Sequence, residues 1–412
     1  MLEKKSILIG FLMVCVLAGT ASAAPAAASD WTMFHENLQH TGFVAQPADF
    51  SPNTWIFNAK SAIQSSPAIL DKIIYFGSLD GTVHAVYLVN GTSNWTYKTG
   101  GKVLSSPAVA NSTLYIGSMD GYLYAEYSAN GTVKWKYKTG DGVESSPAVD
   151  GSNVYVGSND GKVYALDSED GSLLWSFKTG DAVTSSPTIL NGTLYVGSDD
   201  GKVYAINIKN GSEKWDFTTG DNVKSSPALS NGTLYVGSDD GTLYALNATD
   251  GSLEWTYDMG KSVESSPTID ERDNSLFVGA NNGEVACLDT RDGTEKWTYN
   301  ATGAVKTTPA LYSNRIMFGS DGGTVYVLNK YTGNEEWSYE PGYYLLNSPI
   351  RSSPVAYGNM AYMGSNDGYI YALNIDKESG PTSIFAYYIV GGAIVLIAVL
   401  IVLRKLGGRK KN

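Results

Sequence analysis

Apolar and polar positions alternate in short bursts along most of this chain, and the bursts return on a fixed period. Between Ser185 and Lys224 four apolar runs, SPTIL, TLYVG, KVYAI and EKWDF, are separated by Asn-Gly, Asp-Asp-Gly and Lys-Asn-Gly, and Thr-Thr-Gly follows. Tyr, Val, Ile and Trp suit a pleated, packed surface, whereas Asn-Gly and Asp-Gly reach the positive φ values of tight hairpins. The unit predicts a four-stranded antiparallel meander.

The unit recurs on a countable period. Tryptophans fall at Trp55, Trp95, Trp135, Trp175, Trp215, Trp255, Trp297 and Trp337, always 40 residues apart except for one step of 42 between Trp255 and Trp297. Ser-Ser-Pro begins at Ser65, Ser105, Ser145, Ser185, Ser225, Ser265 and Ser352, with Thr307-Thr308-Pro309 as an eighth copy. Gly-Ser-x-Asp-Gly begins at Gly77, Gly117, Gly157, Gly197, Gly237 and Gly364, with looser versions at Gly279 and Gly319. Eight copies of each marker, each about 40 residues and four strands long, have the dimensions of propeller blades. The first tryptophan strand, Thr54 to Phe57, has no Ser-Ser-Pro before it, and the last unit, Ser352 to Asn374, has no tryptophan strand after it. Residues 51–374 are therefore expected to form an all-β, eight-bladed propeller closed by the N-terminal strand, which would leave no open end to the ring.

The spacing Ala205-x5-Gly211-x3-Trp215 repeats as Ala85/Gly91/Trp95, Ala125/Gly131/Trp135, Ala165/Gly171/Trp175 and Ala245/Gly251/Trp255. It resembles the docking motif of the pyrroloquinoline-quinone (PQQ) repeat propellers, over roughly Trp31 to Asn374. In that family each tryptophan packs between neighbouring blades, so the resemblance implies this role for the eight repeat tryptophans. The family holds both quinoprotein dehydrogenases and the non-enzymatic lipoprotein of outer-membrane β-barrel assembly, so a fold of this kind leaves function open.

Outside the repeats the chain carries export and anchoring signals. Lys4 and Lys5, the apolar run Ile7 to Leu17 and Ala21-Ser22-Ala23 read as a signal peptide over residues 1–23. Residues 24–50 are a lead-in, expected to cap one end of the ring, and they hold His35 and His40, read as packing rather than metal-binding groups. His84 stands where Tyr204 stands in another unit and is expected to pack between blades. A linker, 375–383, leads to the uncharged run Ile384 to Leu403, long enough for one transmembrane helix. Arg404, Lys405, Arg409, Lys410 and Lys411 in the tail, 404–412, put the C-terminus in the cytoplasm and the propeller outside the cell membrane.

The whole chain has 29 basic and 41 acidic residues; without Glu3 and the seven basic residues of the leader and tail, 22 and 40 remain. A surface near −18 excludes nucleic acid as a partner. Sequons such as Asn94-Trp-Thr and Asn300-Ala-Thr admit glycosylation, while Asn191-Gly-Thr and Asn231-Gly-Thr are equally hairpin turns. Of two cysteines, Cys15 falls in the leader and Cys287 at a small-residue packing position, so no disulfide is expected.

No catalytic constellation emerges. The family's dehydrogenases imply a quinone, calcium and a pair of adjacent cysteines, and this chain has no such pair; neither PQQ nor calcium is expected. The turn carboxylates, Asp199 and Asp200 for example, repeat too widely for a single active site. Where the repeats differ is more telling. The residues ahead of Ser-Ser-Pro are Gln64, Leu104, Glu144, Thr184, Lys224, Glu264, Lys306 and Arg351. By family analogy they ring one channel mouth, where Gln64, Glu144, Lys224, Glu264, Lys306 and Arg351 are the candidate site for a polar ligand or a partner's peptide. A second candidate contact is the apolar insertion with Tyr343, Tyr344, Leu345 and Leu346; a shorter insertion near Asp270 to Asn274 reads as a longer hairpin. The expected function is a non-enzymatic surface propeller binding envelope proteins or glycans. A quinoprotein dehydrogenase is the alternative. A ligand-sensing ectodomain is the other, although the tail after Leu403 is only nine residues long.

Overall fold

The computed structural model describes residues 32–34, 37–40, 54–341 and 348–376. The leader, most of the linker, the apolar run Ile384 to Leu403, the basic tail and the loop residues Tyr343 to Leu346 lie outside them. Among the described residues no helix is long and apolar enough to cross a membrane.

Thirty-two strands among these residues form eight separate four-stranded antiparallel sheets. Blade 1 is built from Ala68–Leu70, Ile73–Gly77, Thr82–Tyr87 and Ser93–Lys98, and the later blades repeat that order. Blade 8 is completed out of sequence. Trp55–Asn58 pairs with Tyr369–Asn374, placing Trp55 opposite Ala372 and Asn58 opposite Tyr369. The expected closure by the N-terminal strand is how the ring is made.

Local sequence explains each blade. The turn between the first two strands of blade 4 is Asn191-Gly192, with φ of 48° and 76°, the left-handed pair that a two-residue hairpin needs. The outermost pairing carries a bulge in blades 1 to 7, such as the shift between Ala165 and Leu166 opposite Trp175. Such a bulge strengthens the strand's twist and turns the tryptophan toward the next blade.

That tryptophan is the joint between blades. A Cβ on Gly171 would lie 2.6 Å from the ring of Trp135 in the preceding blade, so only glycine lets the indole lie flat on this turn, whose φ is +74°. The indole N–H then donates to a carbonyl of the same turn, Trp135 to Ser168 O at 3.0 Å. All eight docking tryptophans make this bond into the next blade. In four blades a buried tyrosine (Tyr75, Tyr115, Tyr195 or Tyr235) donates to the same carbonyl.

A second ring of bonds runs around the axis. The backbone N–H of Ser66 donates to Ser106 Oγ at 2.9 Å, and the step repeats through Ser146, Ser186 and Ser226 to Ser266. From Thr308 it runs to Ser353 and from Ser353 back to Ser66. The first serine of each motif turns into its own blade, as where Ser185 Oγ accepts the Gly197 N–H at 3.1 Å. Ser-Ser-Pro thus supplies two small hydroxyls where eight inner strands converge.

Two special positions fill as expected. Cys287 is fully buried opposite Trp297, and burial pushes its thiol up to about 12. His84 stacks on Phe76 with ring centroids 4.9 Å apart and touches Phe57 of blade 8 at 5.7 Å, so it packs across that seam. The longer turn after Asp270 binds both neighbouring blades: Ser230 donates to Glu271 at 2.8 Å, and buried Lys330 pairs with Asp270 and, at 2.9 Å, with Asp273.

Trp135→Ala removes both the seam packing and the bond to Ser168, and should cost roughly 3–5 kcal/mol in chemical denaturation. A loss no greater than that of an exposed substitution such as Leu174→Ala would contradict the clasp.

Candidate binding site at the channel mouth

The residue ahead of each Ser-Ser-Pro and the middle residue of each Gly-Ser-x-Asp-Gly turn meet at one end of the ring. Between them lies a cavity of about 430 Å3, lined by Glu144, Asn159, Ala182, Thr184, Asp199, Lys224, Glu264 and Lys306. Four of the six sequence-predicted mouth residues therefore share one cavity. The other two bind neighbouring turns: Gln64 donates to Asn366 at 3.2 Å, and Arg351 makes a two-pronged bond to Asp321 at 2.9 and 3.1 Å.

The turn residues are what sequence reasoning missed. Lys224 pairs with Asp239 at 2.7 Å, and Lys306 with Glu264 at 2.7 Å, where Asn281 donates as well at 2.8 Å. Asn159, Asp199, Asp239, Asn281, Asp321 and Asn366 all occupy the x of the turn motif. The signal was available, because that x varies while the flanking Gly-Ser and Asp-Gly are kept in six of the eight copies. On blades 1 and 2 the same positions hold Leu79, Leu104 and Met119, so the mouth has an apolar arc and a charged arc.

Charge inside the cavity is unevenly matched. Burial alone would raise the Glu264 carboxyl, but the bonds from Lys306 and Asn281 hold it below its usual value. Glu144 has no such donor among the described residues. Burial raises its carboxyl, and the nearby Asp199 raises it further. Asp199 is itself raised by burial, and its contact with Thr184 Oγ1 is long, at 3.4 Å. Lys224 is raised by its bond to Asp239. Three buried acceptors around this mouth, the Oδ1 atoms of Asn159, Asp239 and Asn281, have no protein donor.

Deeper in the ring, lead-in residues 32–34 and 37–40 lie along the inner strands. Val109 donates to Thr32 O at 2.6 Å, Ile189 to Leu38 O at 2.8 Å and Leu229 to Gln39 O at 3.0 Å. These bonds cap strand edges that would otherwise face the lumen of blades 2, 4 and 5. His40 is buried, its Nδ1 lying 2.9 Å from Pro227 O and 2.7 Å from Thr188 Oγ1, and burial lowers it to about 4. It is neutral and structural; His35 lies outside the described residues.

The aspartates of the turns are committed to the fold. Asp160 Oδ1 accepts the Lys162 N–H at 3.0 Å, while Oδ2 accepts Tyr164 OH at 2.5 Å and the Gly140 N–H of the preceding blade at 2.7 Å. Asp120, Asp200 and Asp240 repeat all three bonds. Among the described residues no group of three or more His, Cys, Asp or Glu is placed to hold a metal.

Residues 48–143 and 138–223 match the family model of outer membrane protein assembly factor BamB, and residues 190–386 match that of the β-propeller of beta-alanine-activating enzyme. The repeats are of the PQQ-like type. No curated protein sequence matches the chain. BamB from Moraxella catarrhalis superposes on this PQQ-like propeller with a TM-score of 0.64 at 21% identity, over 77% of this chain and 97% of that one. The computationally designed Ika8 protein gives 0.69 at 20% identity, over 78% and 100%. Quinohemoprotein alcohol dehydrogenase from Comamonas testosteroni gives 0.72 at 15% identity, over 88% and 83%. At these identities the likeness is one of fold.

The unmatched Glu144 yields a pH test. Its folded-state carboxyl is raised, so its stabilising contribution is complete at low pH and is lost as pH rises through that value. Glu144→Gln should raise the melting temperature at pH 7 to 8 and leave it unchanged near pH 4. An equal shift at both pH values would mean that charge is not the cause.

Proposed function

We propose that this PQQ-like propeller is a non-enzymatic docking scaffold that binds partner proteins or glycans at the cell envelope through its channel mouth. The supporting observation is where the repeats stop repeating. Core and tryptophan joint recur in every blade and the Asp-Gly turn in six of the eight, whereas the residues lining the cavity change charge and size around the ring. A symmetrical frame with individual side chains at one end suits recognition of an asymmetric partner. The apolar run Ile384 to Leu403 would hold the propeller at the outer face of the cell membrane by a single pass.

Neither a quinone nor calcium belongs to this reading. Asp120, Asp160, Asp200 and Asp240 fit a calcium cage poorly, because both oxygens of each carboxylate already accept protein donors. The adjacent cysteines of the family's dehydrogenases have no counterpart in this chain, and Glu264, the mouth carboxylate that donors orient, is taken up by Lys306 and Asn281. The dehydrogenase reading keeps the support of fold similarity alone.

Two measurements separate these readings. A photo-crosslinking residue placed at Thr184 in the full-length protein on intact cells should give a discrete adduct, reduced at least several-fold by Lys306→Ala combined with Arg351→Ala. An adduct indifferent to those changes moves the contact away from the mouth. Protein incubated with PQQ and calcium and then desalted should show no quinone absorbance and no rise in melting temperature; retention of both restores the dehydrogenase.

A further inference from the structure

One position in each blade lies directly after the small residue of the docking motif and faces the preceding blade. It is Val86, Glu126, Leu166, Ile206, Leu246, Leu288, Leu328 or Leu373 in blades 1 to 8. All eight side chains are fully buried. Seven are aliphatic, and the one in blade 2 is a glutamate.

The surroundings of Glu126 are those of its aliphatic counterparts. Leu166 packs into a seam with Tyr115, Leu123 and Trp135 of blade 2. The equivalent seam between blades 1 and 2 holds Tyr75, Val83 and Trp95 of blade 1 against Leu114 and Tyr124 of blade 2. On its own sheet Glu126 stands opposite Leu114 and Val133. Neither carboxyl oxygen has a hydrogen-bond partner.

Among the described residues no cation comes to its aid. Lys134 is held by Glu169 at 2.6 Å, and Lys136 lies over the ring of Tyr122. Tyr75 spends its hydroxyl on Ser128 O and Tyr124 on Asp120. The titratable group that feels Glu126 from the facing blade is Tyr97, whose hydroxyl is raised first by burial and then by the charges of Glu126 and Asp120. Burial alone pushes the Glu126 carboxyl up to about 8. A buried carboxylate without partners is costly, and water can relieve it only if the surfaces around it part.

We propose that the seam between blades 1 and 2 is a proton-held latch, closed while Glu126 is protonated and the first seam of the ring to open when it ionises. A folded-state carboxyl raised in this way gives the seam its full strength below the ordinary carboxylate range. That strength drains away as pH rises toward about 8. The other seven seams, with aliphatic side chains at this position, have no such dependence. Mouth recognition and this latch are independent, because the latch lies within the wall of the ring.

Hydrogen exchange of the full-length protein at pH 6 and pH 9, corrected for intrinsic rates, tests the latch. In the wild type, Ser93–Lys98 and Tyr122–Tyr127 should lose protection at least tenfold more than Leu173–Lys178 and Lys202–Asn207. Glu126→Leu and Glu126→Gln should both abolish that difference, since charge rather than shape is the trigger. Leu166→Glu should carry the pH-dependent exchange to the seam between blades 2 and 3. Parallel loss at all seams in the wild type, or persistence of the difference in Glu126→Leu, overturns the proposal; these two outcomes decide it even if Leu166→Glu fails to fold.

Discussion

Everything in this ring hangs on an indole laid flat on a glycine. A single blade cannot bury its apolar faces alone, and each blade here gains its core by covering the face of the next. The tryptophan supplies the area, the glycine the clearance and the N–H···O bond the register. Because the acceptor carbonyl lies 33 residues beyond the tryptophan in six of the eight joints, as with Trp135 and Ser168, the joint fixes the repeat length as well as the angle between blades. Where the chain inserts residues, as between Trp255 and Thr290, the joint survives and the extra length is pushed into a turn.

Around this joint the molecule divides its side chains between symmetry and individuality. The serine ring at the axis and the turn aspartates of blades 2 to 5 tie blades to their neighbours by repeated bonds, leaving those groups little freedom to vary. Individuality is concentrated at the mouth, with Glu126 the exception inside a seam. There the pairing is incomplete: Lys224, Lys306 and Arg351 each find a carboxylate, and Glu144 has no hydrogen-bond donor or ion-pair partner among the described residues. The polarity of the cavity is therefore a residue of mismatch between blades rather than a property of any one of them.

Much of this was legible in the sequence. Strand order, blade number and closure by Trp55 to Phe57 followed from the phase of three markers, because each reports a position that geometry forbids to drift. The role of Cys287 followed from its place in a packing motif. The mouth was only half legible. Residues ahead of Ser-Ser-Pro could be placed on the ring, but their partners come from turns elsewhere in the sequence, 15 residues away for Lys224 and Asp239, 30 for Arg351 and Asp321 and 302 for Gln64 and Asn366. A period shows which residues share a height on the ring, not which of two adjacent turns a long side chain reaches. Glu126 escaped notice for a related reason: a single polar residue in one copy of a strand looks like surface until the neighbouring blade is in place.

The closure of blade 8 also orders events in time. A ribosome releases Trp55–Asn58 early, yet its partner, Tyr369–Asn374, emerges some three hundred residues later. Seven blades can stack in sequence as they appear, each resting on the one before. Throughout that interval the first strand carries an unpaired edge beside growing, closely similar blades, any of which offers a third strand much like the one it awaits. The newborn chain must therefore keep its opening strand from marrying the wrong blade, and the bond that makes the ring whole is the last that synthesis allows.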